Sequence, residues 1–288
     1  SRVWIRPQIA NSAAGFSPIP AGGYAATSLP ATLKNKSEFA NWGVVGLNHT
    51  NEPTIEPYYT NVLTMKVFGD RTFVGGRFTG VQQGPNGSEI AQPSLAAFSI
   101  DGNFIDTFRP KIDGRVWDMA LTEDGKLIIA GDFTSVNGQP DTQGLAALNP
   151  TTGQVITSWK AKVYRADGTR SFVRALDVRD GIIYAAGNFN RVQGGTWNPI
   201  TVTNAVSVST SNGNPAGWRP RPNGSVVRIR VTDDGSRVLM AGYFTNINGN
   251  TTHGYFGITD TATGNPSAGI GAWQYSTGSN AKYQQAVD

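Results

Sequence analysis

One short block recurs four times in this chain: Gly75-Gly76-Arg77-Phe78, Ala130-Gly131-Asp132-Phe133, Ala186-Gly187-Asn188-Phe189 and Ala241-Gly242-Tyr243-Phe244. The phenylalanines lie 55, 56 and 55 residues apart. Each is followed by a similar tail, fullest in Thr134-Ser135-Val136-Asn137-Gly138 and Thr245-Asn246-Ile247-Asn248-Gly249. A fixed period of this length marks an array of one supersecondary unit, which must stack on copies of itself to bury a core.

The unit can be read outward from the block. Upstream lies an apolar-rich run: Val62–Val67, Val116–Leu121, Phe172–Val178 and Val226–Val231. A turn follows at Gly69-Asp70, Asp124-Gly125, Asp180-Gly181 or Asp234-Gly235, of the kind that joins antiparallel strands. The second run ends in the Gly-x-Phe block, a variable polar loop follows, and a third run comes at Leu95–Phe98, Leu145–Leu148, Ala205–Val208 and Tyr255–Ile258. A fourth run closes on Phe108, Trp159, Trp218 or Trp273. The β-branched content and the absence of helical spacing make the unit a four-stranded antiparallel meander.

Composition agrees. Only 15% of the 288 residues are charged, and 35 are Gly. Soluble domains average about a quarter charged, so this chain is polar mainly through turn-forming residues. There is no Cys, which removes disulfides, thiolate metal sites and a thiol nucleophile. No apolar run approaches the roughly 18 residues of a membrane-spanning helix. The net charge is +4, with the basic residues scattered rather than gathered into the stripe that nucleic acid requires, so no nucleic-acid partner is expected.

Strand-only units of this length stack face to face, and radial stacking gives a β-propeller with four-stranded blades around a channel. The expected blades are residues 58–110, 111–160, 161–220 and 221–275. Trp4-Ile5-Arg6-Pro7 resembles the closing motifs, so residues 1–7 are read as the last strand of a preceding blade. Residues 8–57 are read as a degenerate blade with Trp42–Leu47 as its third strand, and 276–288 as the first strand of a further blade. That count does not close a ring: either the chain is an incomplete excerpt of a larger one, the favoured reading, or its terminal strands share one incomplete blade.

The Ala-Gly-x-Phe-Thr-x-Val-Asn-Gly pattern, with Leu145-Ala146-Ala147-Leu148 before the Asn149 turn, resembles the delta-60 repeat β-propellers of bacterial secreted and surface proteins. The resemblance spans about residues 58–275 and implies an exported or surface-attached propeller without a common catalytic centre. Asn149-Pro150-Thr151-Thr152-Gly153 followed by Trp159 also looks like the tryptophan-docking repeat of quinone-dependent dehydrogenases. It is equally a good tight turn, and no cofactor is expected from it.

Several residues stand out as candidates for chemistry. Aligned first strands place Thr64, Asp118, Arg174, Arg228 and Gln284 in one column near the channel. The column reads either as an inter-blade set of ion pairs, with Asp118 offsetting Arg174, or as an anion- or sugar-binding ring. Trp197 lies in a long polar loop, where it either plugs that loop or stacks on a partner. Tyr164, with Arg165 and Arg170, occupies a second enlarged loop. His49 and His253 read as surface loop residues. Glu123-Asp124 and Asp233-Asp234 offer hard ligands suited to calcium, but without the alternating series of a calcium loop they read as solvated hairpin turns. Asn-x-Ser/Thr triplets start at Asn35, Asn48, Asn86, Asn223 and Asn250, as such a composition generates by chance.

No catalytic motif assembles. The functional expectation is a non-catalytic extracellular propeller that binds a glycan or protein partner through rim loops. The alternatives are an extracellular polysaccharide-acting enzyme, and a structural subunit of a cell-surface assembly joined through its terminal strands.

Overall fold

A computed structural model of the chain describes residues 3–4, 42–46, 61–84, 86–195 and 197–267. The expectations placed on residues 8–41, His49, Trp273, Gln284 and the strand at 276–288 lie outside the described residues. Among the described residues there is no helix, and hence none long and apolar enough to cross a membrane.

The strands run in the order expected of the repeat. Two short ones come first, β1 (Val3–Trp4) and β2 (Trp42–Val45). The first blade holds β3 (Asn61–Phe68), β4 (Arg71–Arg77), β5 (Gly80–Gln83), β6 (Glu89–Ala91) and β7 (Leu95–Ser99). The second holds β8 (Val116–Leu121), β9 (Leu127–Gly131) and β10 (Leu145–Leu148). In the third are β11 (Ala161–Tyr164), β12 (Phe172–Arg179), β13 (Ile182–Asn188), β14 (Arg191–Gly194), β15 (Ile200–Thr201) and β16 (Ala205–Ser209). The fourth comprises β17 (Val226–Val231), β18 (Arg237–Gly242) and β19 (Phe256–Asp260).

Each blade is an antiparallel meander: β3-β4-β7, β8-β9-β10, β12-β13-β16 and β17-β18-β19. The fourth strand of the expected meander is reduced to one bridge per blade: Phe98↔Phe104, Leu148↔Val155, Val208↔Pro215 and Thr259↔Pro266. Turn residues follow at once and leave no room for a longer ladder. First strands of successive blades lie beside one another, β3 by β8, β8 by β12 and β12 by β17, as the innermost strands of a propeller do.

A second pairing, not foreseen from the repeat, ties each blade's entry segment to the tail after its Gly-x-Phe block. Val44 pairs with Val81 and Val163 with Val192, while Ile112 and Pro222 bridge Val136 and Ile247. This corrects the reading of Trp42–Leu47 as a third strand, because β2 pairs with β5. The tails turn tightly at Asn137-Gly138 and Asn248-Gly249, where all four φ values are positive, between 52° and 78°. Asn-Gly is the pair that adopts such a turn at least cost.

The core lies between the blades. The block phenylalanines Phe78, Phe133, Phe189 and Phe244 are all buried, each in a different apolar cluster. Phe108, Trp159 and Trp218 from the closing segments join three of those clusters. Full burial of one such ring is worth about 1.5–3 kcal/mol, so the periodic aromatics hold neighbouring blades together. Met119 packs over Gly75 of the preceding blade, where a Cβ would come within 2.7 Å of its Cε. Met119 is 1% exposed, whereas Met65, its counterpart on β3, is 52% exposed.

Candidate functional site

Every first strand carries one extra residue where it begins. The register of β3 on β4 slips between Val62 and Thr64, that of β8 on β9 between Val116 and Asp118, that of β12 on β13 between Val173 and Ala175, and that of β17 on β18 between Val226 and Arg228. The bulged residues are therefore Leu63, Trp117, Arg174 and Val227, and the next column is Thr64, Asp118, Ala175 and Arg228. This corrects the alignment that set Arg174 beside Asp118. The third blade's strand begins one residue earlier, and a slip of one residue moves a side chain to the other face.

The two columns do different work. Asp118 joins three blades: the Thr64 hydroxyl donates to Oδ1 (3.3 Å) and the Leu176 N–H to Oδ2 (2.9 Å). Its own strand adds the Met119 N–H (2.9 Å). Burial pushes the Asp118 carboxyl up, against the pull of these N–H groups and of the Lys66 and Arg228 charges. The expected offset of Arg174 by Asp118 is not made. Asp177 repeats the device one blade on, taking the Val231 N–H at 2.7 Å. Adjacent first strands share no backbone ladder, so these carboxylates bind them together.

The bulged column lies where the inner strands begin, an end called the mouth below, and cations gather around it. Arg174 lies over the Trp117 ring at 4.5 Å, and Arg115 approaches the same ring at 5.1 Å. Arg174 also reaches the Phe172 ring at 5.5 Å. The x residues of two Gly-x-Phe blocks, Asp132 and Tyr243, reach this cluster too. Asp132 takes the Arg115 Nε at 2.9 Å and pairs with Arg170, which crosses from the next blade. The Tyr243 hydroxyl bonds to Arg174. Burial pushes the Arg174 guanidinium down and the neighbouring Arg228 and Arg115 add to this, against Tyr243. Nε of Arg174 and Nε1 of Trp117 are both buried and meet no hydrogen-bond acceptor. Both are orphans with almost no accessible surface, so the packing closes over them and each carries the cost of an unmade bond.

Burial alone would raise the Asp132 carboxyl, but Arg115 and Arg170 outweigh it and hold the group below the ordinary carboxylate value. A depressed pKa stabilises the fold above the unfolded value near pH 4, and the contribution is lost as pH falls through the folded value. Asp132→Asn is expected to cost about 1–3 kcal/mol at neutral pH. Urea titrations of parent and variant at stepped pH should show that difference shrinking below about pH 4.

The other candidates fall elsewhere. Trp197 is 51% exposed beyond β14, so it does not plug its loop. Tyr164 sits on β11 opposite Arg191, not in a loop, with the Lys162 ammonium 6.0 Å from its ring. Arg165 is tied to Asp167, Thr169 and Asn188, which closes the loop after β11. Neither Trp197 nor Tyr164 joins the mouth. His253 is buried, at 6% exposure, rather than on the surface, and burial pushes its pKa down.

Asp124 bonds to Lys126 and Thr122, and Asp234 to Thr232 and Ser236, whose hydrogen bonds hold the Asp234 carboxyl down to about 2. These carboxylates are thus engaged within their turns, and no group of three or more His, Asp or Glu gathers for a metal among the described residues. A crevice of about 630 Å³ runs between Gln92, Arg109, Lys111 and Ser135. Its Gln92 amide already donates to Leu95 O and Pro110 O.

Sequence reasoning missed Trp117, Arg115, Asp132 and Tyr243 as a group. The available signal was the variable x of an otherwise fixed block, since a varying residue inside an invariant frame is where a repeat differentiates its blades.

The blades, their adjacent inner strands and their inter-blade cores define an all-β protein, a β-propeller. A family model described as a β-propeller domain of unknown function, DUF5122, matches residues 122–143, the stretch from the first hairpin turn of the second blade through its Gly-x-Phe block. No curated protein matches the sequence. Among solved structures, the chain is similar to the computationally designed Ika4 protein, with 12% identity and a TM-score of 0.36, covering 65% of this chain and 89% of that one. It is likewise similar to the computationally designed Ika8 protein, with 12% identity and a TM-score of 0.37, covering 73% of this chain and 61% of that one.

Proposed function

We propose that this propeller is a non-catalytic, exported binding module that engages a glycan or protein partner at the mouth around Trp117 and Arg174, rather than through its rim loops. The observation that carries the reading is the group of Arg115, Arg170, Arg174 and Arg228 beside the exposed Tyr243, in which Arg174 and Arg228 have no carboxylate partner among the described ion pairs. The carboxylates beside them are already engaged. Asp132 serves two arginines, while Asp118 serves two backbone N–H groups and a hydroxyl, so neither stands free as an acid or base. Export is supported by the resemblance of the block to the delta-60 repeat propellers. The family model matched at residues 122–143 spans that same block.

Tyr243, 44% exposed beside Arg174, is the mouth's open aromatic surface. An array of neutral and acidic glycans together with extracellular proteins, probed with the full chain, is expected to capture it. Tyr243→Ala is expected to weaken capture about tenfold, the worth of one aromatic contact at about 1.4 kcal/mol. Capture at parental strength by both Tyr243→Ala and Arg174→Met would move the site away from the mouth. Turnover of a captured polysaccharide would make the protein an enzyme.

A further inference from the structure

The four apolar clusters are not alike. Three of them join two blades, pairing residues that one blade turns toward the next with residues that the next turns back. At the first junction Phe73, Leu95 and Ala97 of the first blade meet Met119, Leu127 and Ile129 of the second. The fourth cluster holds only a backward half. Val74, Ala96 and Phe98 are the first blade's counterparts of Ile129, Ala146 and Leu148, and they pack with Val44, Phe78 and Val81, with no residue from another of the four blades. On that same face the first strand is bare. Met65 is 52% exposed, against 1%, 8% and 6% for its counterparts Met119, Leu176 and Ile229, and Val67 is 44% exposed.

The other end of the stack has the opposite half without a partner. Leu239 and Ile258 pair on the fourth blade as Ile128 and Ala147 do on the second, and Phe256 stands where Leu145 does. Ile128, Leu145 and Ala147 are buried against the third blade, whereas Leu239, Phe256 and Ile258 are half-buried and belong to none of the four clusters. Ala241 holds the place of Gly75, the small residue over which Met119 packs. Arg228 and Arg230 project from this face, and their stems add apolar surface while their charges stay in water. One end of the stack thus carries the knob and the other the seat. They do not meet within the described residues: β3 lies by β8 and β17 by β12, with no comparable pairing of β3 and β17. Contact between unlike faces of identical chains is heterologous, and it closes when the rotation completes a circle. Propellers typically hold about four to eight blades, so two chains of four described blades fall within that range. Independently of the mouth's role, we propose that a second copy of this chain covers these faces. Met65 and Val67 of each copy seat on Ala241, Leu239 and Ile258 of the other, closing one two-chain ring.

The test uses the full chain over a range of concentrations. Sedimentation is expected to show one associated species, of twice 30.7 kDa, that dissociates on dilution. Oxidation by dilute peroxide, read by peptide mass spectrometry, reports on the chain's three methionines, of which Met119 and Met240 are buried and serve as controls. In the two-chain species Met65 is expected to oxidise about tenfold or more slowly than in the dilute monomer, because sulfoxide formation follows exposure. Met65→Lys and Leu239→Lys, one on each face, are each expected to weaken association about tenfold or more, an unpaired cation being costly in an apolar junction. Met65 is already exposed, so its variant keeps the melting temperature of the dilute parent and tests association even if Leu239→Lys fails to fold. A monomer at every concentration overturns the proposal, and a protected Met65 in that monomer assigns the cover to the chain's own residues. Association of parental strength in Met65→Lys overturns the faces named. Growth into open-ended chains overturns the closed ring.

Discussion

Gly131→Ala is expected to cost about 3 kcal/mol or more of stability, at the upper end of what overpacking does in a close-packed interior. A Cβ on Gly131 would stand 2.0 Å from the Arg115 carbonyl oxygen and 2.5 Å from the Phe133 ring. The carbonyl cannot retreat freely, because it accepts the Asp132 N–H at 3.2 Å. The ring cannot either, being buried in the inter-blade core. The approach is a property of the repeat: the same Cβ at Gly76, Gly187 and Gly242 would meet the carbonyls of Asn61, Phe172 and Ser225 at 2.0, 2.1 and 2.3 Å. The block glycine is thus the residue that lets the bulged start of the first strand lie against the end of the second. Gly125→Ala is the control. Gly125 has φ of +82° with nothing within 4 Å, so alanine there costs only left-handed strain, about 1–2 kcal/mol. Urea denaturation of the two variants measures the difference. Equal losses would mean that the close approach does not account for the motif.

Arg174→Met is expected to lower affinity for the mouth's ligand about tenfold or more while leaving stability unchanged or slightly improved. Methionine keeps most of the volume and still packs on the Trp117 ring, a contact that sulfur makes favourably. What disappears is a half-buried cation crowded by Arg115 and Arg228, together with one of the two orphan donors. A purely structural arginine would behave in the opposite way. Its stacking on Trp117 and Phe172 and its bond to Tyr243 would be missed in the fold, and binding would survive. Melting curves and titrations on the same preparation therefore separate the two roles.

The recovery of strands from the sequence was close because each has a local cause. β8, β10 and β17 have the bounds read from the pattern, and β3, β7, β12, β16 and β19 differ by one or two residues at their ends. Apolar runs, Asp-Gly turns and the Gly-x-Phe block are all short-range signals. The fourth strand failed because an aromatic followed by Arg-Pro or Lys marks an inter-blade packing residue as readily as a strand, and only one bridge forms. The candidate site was half legible. Asp118, Arg174 and Arg228 were singled out, but Trp197 lies in a loop and Tyr164 on β11, neither at the mouth, and Trp117 was not singled out.

By itself, then, the sequence determined the period, the strand order within a blade, the turns and the inter-blade aromatics, because each is written within about a dozen residues or repeated at a fixed interval. Only the tertiary structure decided which face each first-strand residue takes. A bulge adds one residue without changing the apolar pattern around it, and that residue separates Arg174 from the Asp118 column and sets it on Trp117. The mouth joins residues from three blades, and their convergence exists only once those blades are packed.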